Sequence, residues 1–125
     1  MDHDEYALGL LKIPVSSVRT AAEFYEAALG FRRAFIVEAY GWAQLQAGSL
    51  QIALYQPGMG GGDATIGGSR DFHLEVRDLT ALAARLKQHN ALVGDAIQQA
   101  DDGGSFAEVK DPDGNTFKVM AQADT

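Results

Sequence analysis

The sequence predicts a single α+β domain made of two βαβββ modules, and three observations support that fold class. The chain has 125 residues, the length of one domain. It also resembles itself: when Val15 is aligned with Val76, segment 8–15 (LGLLKIPV) falls on segment 69–76 (SRDFHLEV). Each segment precedes a helical pattern and then further strand-like segments, so the order β-α-β-β-β occurs twice.

The first module is predicted over residues 6–56. Apolar residues alternate along 8–15, as they do in a strand with one buried face. Ser17 is placed to cap a helix with an apolar stripe, and Gly30 is placed to end that helix. Three more strands are predicted at 32–39, 42–47 and 50–55.

The second module is predicted over residues 71–122, after a linker at 57–70 that contains six glycines and one proline. Asp78 is placed to cap its helix and Asn90 to end it. The strands expected after this helix are a weak one within 92–99 and two clear ones at 105–110 and 116–121. Because the linker leads into a strand and not into a helix, its glycines are typical of a flexible connector rather than a phosphate loop.

Charge and composition narrow the classes of partner. The chain has 17 acidic and 10 basic side chains, a net charge of −7, and no cysteine. Nucleic acids and anionic membranes need clustered Lys and Arg, so neither is an expected partner, whereas a cationic or neutral small molecule is compatible. The absence of cysteine excludes disulfides, thiolate zinc sites and cysteine nucleophiles. With no long apolar run and no positively charged start, the chain is expected to be cytoplasmic.

Two motifs resemble the vicinal oxygen chelate superfamily, which includes glyoxalase I, extradiol dioxygenases and bleomycin-binding proteins. VSSVRTAAEFYEAALGF resembles the first-module signature of that family, and FAEVKDPDGNTFKVM resembles its closing signature, in which DPDGN turns between the last two strands. The resemblance covers residues 8 to 122. It implies a glyoxalase/bleomycin-resistance-like fold, in which the two modules form a cup-shaped mixed sheet, and it implies a homodimer. A shared fold does not fix the reaction.

Strand alternation divides each module into two faces. One face is apolar and is predicted to form the core. The other, which we call the polar face, mixes aromatic, amide and charged side chains, as a ligand pocket does, although a solvated sheet face is the alternative. The candidate ligand-binding residues on it are Leu10, Lys12, Trp42, Gln44, Gln46, Gln51, Ala53, Tyr55, Asp71, His73, Glu75, Phe106, Glu108, Lys118 and Met120.

The resemblance also implies where a metal would bind. Metal-dependent relatives use His, Glu or Gln near the start and in the last strand of each module. Those positions correspond here to Leu10, Ala53, Asp71 and Lys118. Since Leu and Ala have no donor atom and Lys is a cation, no metal and no other cofactor is predicted. An alignment shift of two residues brings in His73 but leaves Lys12 opposite it.

An ion pair between Asp71 and Lys118 is expected where the metal would have been. If the pair is partly buried, each partner favours the charged form of the other. The alternative is that the two charges lie at the rim of the cup and do not meet.

Three functions are compatible with these features. The preferred one is a metal-independent binding protein, similar to the bleomycin-resistance branch, that confers antibiotic resistance by sequestering a small aromatic or cationic molecule. The second is a glyoxalase- or dioxygenase-type lyase or oxygenase. It would use either an unusual metal set drawn from Asp71, His73, Glu75 and Glu108, or His73 as a candidate catalytic acid–base group. The third is a structural or regulatory domain whose cup holds a peptide or partner.

Overall fold

The computed structural model describes residues 5–122, and in them both modules have the predicted element order. The first module contains β1 (Leu11–Pro14), α1 (Val18–Leu29), β2 (Arg32–Val37), β3 (Trp42–Ala47) and β4 (Leu50–Tyr55). The second contains β5 (Gly68–Val76), α2 (Leu79–Gln88), β6 (Gln98–Gln99), β7 (Ser105–Lys110) and β8 (Asn115–Ala121). The α+β fold of two βαβββ modules is therefore confirmed. β5 begins at Gly68, within the segment assigned to the linker.

Each module forms its own four-stranded mixed sheet. The strand order is β1-β4-β3-β2 in the first, which we call sheet 1, and β5-β8-β7-β6 in the second, which we call sheet 2. In both sheets the first strand runs parallel to the last, and the other pairs are antiparallel. Within residues 5–122, β1 and β5 therefore each have one hydrogen-bonded neighbour and one free edge.

Local sequence signals set the helix ends. The Ser17 side chain accepts a hydrogen bond from the backbone N–H of Thr20, and Gly30 ends α1 with a left-handed φ of +75°. The Asp78 side chain caps α2 in the same way, and His89 follows its last turn. Among the described residues, no helix is long and apolar enough to cross a membrane.

The apolar faces of both sheets and both helices form one core. The predicted core residues that are fully buried are Ile13, Val15, Ala43, Leu45, Ile52, Leu54, Val109, Phe117 and Val119. The other predicted core residues, which are partly buried against this cluster, are Leu11, Phe72, Leu74 and Val76. The assignment of one face of each strand to the core is thus confirmed.

A buried carboxylate joins the two modules. Asp111, the first residue of DPDGN, is 3% exposed. One of its oxygens accepts hydrogen bonds from the backbone N–H groups of Asp113 and Asn115, each at 2.9 Å. The other accepts from the Tyr25 hydroxyl on α1 at 2.8 Å and from the Asn115 side chain at 2.9 Å. The Asn115 amide also donates to the Pro14 carbonyl of β1 at 2.8 Å. The turn therefore fastens sheet 2 to both α1 and β1.

The Tyr25–Asp111 hydrogen bond predicts a specific dependence of stability on pH. Burial and the neighbouring Asp111 carboxylate raise the pKa of Tyr25 well above its ordinary value of 10.0. Above about pH 10 the unfolded chain therefore loses this proton while the folded chain keeps it, so stability falls as pH rises. Tyr25→Phe should lower the unfolding free energy by about 2 kcal/mol at pH 7 and make the alkaline decline shallower.

Urea unfolding between pH 7 and 11 measures both effects. Tyr40→Phe is the matched control, because Tyr40 is 71% exposed. A Tyr25→Phe variant with the stability and the alkaline slope of the unmodified chain would contradict the role given to this bond.

Candidate functional site

The polar face of sheet 1 is assembled as predicted. Lys12, Ala53 and Gln44 lie side by side on β1, β4 and β3, and Trp42 lies beside Tyr55. Because side chains alternate along a strand, these five point to the same side of the sheet, away from the core. The remaining predicted members of this face are Leu10, which is half-buried just before β1, and the cross-strand pair Gln46 and Gln51.

One lysine covers the aromatic rings of this face. The Lys12 ammonium lies 5.9 Å from the centroid of the Trp42 ring and 5.2 Å from that of Tyr55. These distances are typical of cation–π contacts. Lys12 itself remains exposed, whereas Tyr55 beneath it is 4% exposed. The rings therefore already have a cation over them before any ligand binds.

The glycine-rich segment 57–67, which we call the strap, packs on the same rings. A Cβ added to Gly61 would lie 3.0 Å from the Trp42 ring and 3.1 Å from the Cβ of Tyr55, and one added to Gly62 would lie 2.9 Å from the Tyr55 ring. Such distances leave no room for a side chain. The glycines thus allow the backbone to lie directly on the aromatic residues and to shield them from water.

The polar face of sheet 2 carries both signs of charge. His73, Lys118 and Glu108 lie side by side on β5, β8 and β7. The next row along the same strands consists of Glu75, Met120 and Phe106. The Lys118 ammonium lies 4.8 Å from the centroid of the Phe106 ring, so this face also has a lysine over an aromatic residue.

A bulge in β5 corrects the predicted pairing of Asp71 with Lys118. Ser69 pairs with Thr116 and His73 with Lys118, so three residues of β5 stand opposite one residue of β8. The bulge places His73, and not Asp71, beside Lys118. Among residues 5–122 the ion pairs are Arg19–Glu38 and Arg33–Glu26. The prediction of an Asp71–Lys118 ion pair is therefore wrong.

The bulge also shapes a small polar cavity. It has a volume of about 250 Å³ and is lined by Ser69, Arg70, Asp71, Phe72, His73, Glu108, Phe117 and Lys118. Phe72 stacks on Phe117 with ring centroids 5.0 Å apart, which supports the floor of the cavity from the core side. An exposed imidazole beside an ammonium and a carboxylate can bind a polar ligand or exchange a proton with it.

The residues present do not fit a divalent metal. The register places Lys12 beside Ala53 and His73 beside Lys118, so one member of each of these two pairs is an ammonium group. An ammonium group has no lone pair to donate and repels a cation. Among the described residues, no group of three or more His, Asp and Glu side chains is placed to hold a metal ion.

A larger cavity reaches His73 and Glu75 on the polar face of sheet 2. Its volume is about 950 Å³, and it runs between the free edges of β1 and β5. Apolar side chains of Leu8, Leu11, Leu74 and Leu82 line it together with Arg85, whose guanidinium donates to the Ala28 carbonyl at 3.0 Å. Its lining is about equally polar and apolar, because His73, Glu75 and Arg77 lie in it as well. The leucines suit covering by another protein surface, and the charged groups suit a polar ligand.

Two features of the site were not found from the sequence. Arg70 lines the cavity on sheet 2 but was placed in the linker, and the strap glycines lie on Trp42 and Tyr55. The consecutive glycines 60–62, which follow the aromatic end of a strand after residues 56–59, were a usable signal for close backbone approach.

Comparisons with known proteins agree on the family. The family model described as the Glyoxalase/Bleomycin resistance protein/Dioxygenase superfamily matches residues 7–119. A search of curated proteins found no match.

Solved structures of similar fold cover most of the chain. A lactoylglutathione lyase from Agrobacterium tumefaciens has a TM-score of 0.78 at 14% identity, covering 94% of this chain and 95% of that one. A superfamily member from Sphaerobacter thermophilus has a TM-score of 0.79 at 22% identity, covering 94% and 98%. A bleomycin resistance determinant encoded on the transposon Tn5 has a TM-score of 0.70 at 25% identity, also covering 94% and 98%.

Because the strap packs on Trp42, a substitution that displaces the strap should change the environment of this residue. Trp42 is the single tryptophan of the chain. Gly61→Val should displace the strap, because a side chain at this position meets the Trp42 ring. Tryptophan emission should then move to longer wavelength, and quenching by acrylamide should increase. Ala64→Val is the control, since Ala64 is an exposed strap residue. Identical emission and quenching in Gly61→Val and the unmodified chain would contradict the packing of the strap on Trp42.

Proposed function

Because the chain belongs to the Glyoxalase/Bleomycin resistance protein/Dioxygenase superfamily, we propose that it is a metal-independent binding protein that sequesters a small aromatic or cationic molecule on its polar faces. The observation that carries this proposal is the register that pairs Lys12 with Ala53 and Lys118 with His73. These pairs offer hydrogen bonds, charge and ring contacts to an organic ligand, but not the donor set of a metal.

The charges of sheet 2 support a positive group on the ligand. Glu75 and Glu108 lie on its polar face, and Asp71 lines the cavity beside it. Within residues 5–122, none of the three carboxylates is within 4.0 Å of a basic group. The rings of both faces, in contrast, are already covered by lysine. We therefore assign the cationic group of the ligand to these carboxylates and not to the aromatic rings, which revises the expectation from sequence.

Sequestration, rather than turnover, is the activity that this arrangement favours. The Tn5 relative is a bleomycin resistance determinant. A protein that sequesters a ligand needs a pocket that matches the ligand in shape and polarity. Here the polar faces combine ring surface, amides and both signs of charge, which are features that recognise a ligand.

The proposal includes a homodimer. It is supported by the groove of about 950 Å³ between the free edges of β1 and β5, where apolar side chains remain partly exposed. A second copy of the chain would bury these side chains and cover both strand edges. Proteins usually protect such edges, because their backbone N–H and C=O groups are unpaired.

Ligand-induced stabilisation tests the proposed function. Thermal unfolding should shift upward with aromatic cations, for which bleomycin and phenethylamine are suitable probes. A free ligand concentration of one hundred times Kd adds about 2.7 kcal/mol to the free energy of unfolding. Glu108→Gln should weaken the shift, because it removes a carboxylate of the polar face. Glu23→Gln is the matched control, since Glu23 is an exposed residue of α1. If neither probe raises the unfolding temperature, the proposed binding function is wrong.

A further inference from the structure

We infer that the polar face of sheet 1 is a subsite for a carboxylate, so that the ligand carries an acidic group in addition to the features named above. This inference rests on the proposed function and adds to it the chemistry of one part of the ligand.

The first support is the charge of sheet 1. Its four strands read LKIP, RRAFIV, WAQLQA and LQIALY and contain no aspartate or glutamate, although the whole chain has 17 acidic residues. Lys12 lies on its polar face, and so does Arg32, which pairs with Gln46. Within the described residues no carboxylate lies within 4.0 Å of either cationic group. An exposed cation without a carboxylate partner is available to an anion.

The second support is the direction of a hydrogen-bond chain. The Trp42 indole N–H can only donate, and it donates to the Gln44 carbonyl oxygen at 3.3 Å. Gln44 must therefore donate through its amide nitrogen, which it does to the Gln51 carbonyl oxygen at 3.3 Å. The indole thus fixes the orientation of both amides, and the chain ends at the NH₂ group of Gln51.

Two free donors of this face are therefore the Lys12 ammonium and the Gln51 NH₂ group. The Gln51 NH₂ group is on β4, two residues before Ala53, and Lys12 pairs with Ala53 from the adjacent strand. An ammonium and an amide NH₂ offer donors and no acceptor at their free ends. A carboxylate, which accepts through two oxygens and carries a single negative charge, matches one ammonium and one amide.

The third support is the environment of Lys12. The rings of Trp42 and Tyr55 hold the ammonium from below, and the strap covers the same rings at Gly61 and Gly62. The lysine is thus positioned before a ligand arrives, which lowers the entropy cost of binding an anion to it.

Two probes of the same size and opposite charge test the inference. Binding of 3-phenylpropionate and of phenethylamine to the full chain is measured by calorimetry. Lys12→Met should weaken binding of 3-phenylpropionate by about tenfold, the effect expected of one lost charge-assisted hydrogen bond, and should not weaken binding of phenethylamine. Lys12→Arg, which retains the charge, should restore most of the affinity. Lys87→Met is the control for loss of a positive charge elsewhere, since Lys87 lies exposed on α2.

Quenching of the single tryptophan gives an independent measure. The net charge of −7 favours caesium over iodide near the protein as a whole. A local anion site at Lys12 should instead make iodide the stronger quencher of Trp42, and Lys12→Met should remove that preference. If Lys12→Met alters stability, quenching of the unmodified chain still tests the anion site. There, 3-phenylpropionate should compete with iodide and reduce quenching of Trp42.

The outcomes separate this inference from the proposed function. Binding of phenethylamine without binding of 3-phenylpropionate, or 3-phenylpropionate binding that is unchanged in Lys12→Met, overturns the carboxylate subsite and leaves the proposed function in place. The absence of binding by either probe, together with stronger quenching by caesium, overturns both.

Discussion

The buried Asp111 carboxylate is the interaction on which the arrangement of the two modules depends. A buried charge is tolerated only when its lone pairs are occupied, and its four hydrogen bonds come from its own turn and from Tyr25 on α1. Asn115 extends the network to β1 through the Pro14 carbonyl. Lys12 is two residues before Pro14, and Lys118 is three residues after Asn115. The network that joins the modules thus also sets the position of both lysines.

The two modules share a fold but differ in the chemistry of their polar faces. Sheet 1 presents one ammonium and a series of amides above aromatic rings, whereas sheet 2 presents carboxylates, an imidazole and a second ammonium. The β5 bulge contributes to this difference, because it places His73 beside Lys118 and frees Asp71 to line a cavity. The two proposed binding surfaces therefore differ in the sign of charge that they attract.

Local signals in the sequence were sufficient for most of the fold. Caps such as Ser17 and Asp78, and strict alternation along the strands, depend on neighbouring residues, so both helices and the buried faces followed from them. The pairing of Asp71 did not follow, because alternation fixes the face of a residue but not its register across a bulge. The packing of the strap was also missed, since glycine has no side chain to show a pattern.

The central claim is that ammonium groups make these polar faces binding surfaces for an organic ligand and not for a metal. Its most direct test is the metal content of the chain, purified without an affinity tag, before and after incubation with excess zinc, nickel, iron or manganese and removal of unbound metal. The account predicts metal far below one atom per chain in both samples. One firmly held atom per chain, lost in His73→Ala, would contradict it.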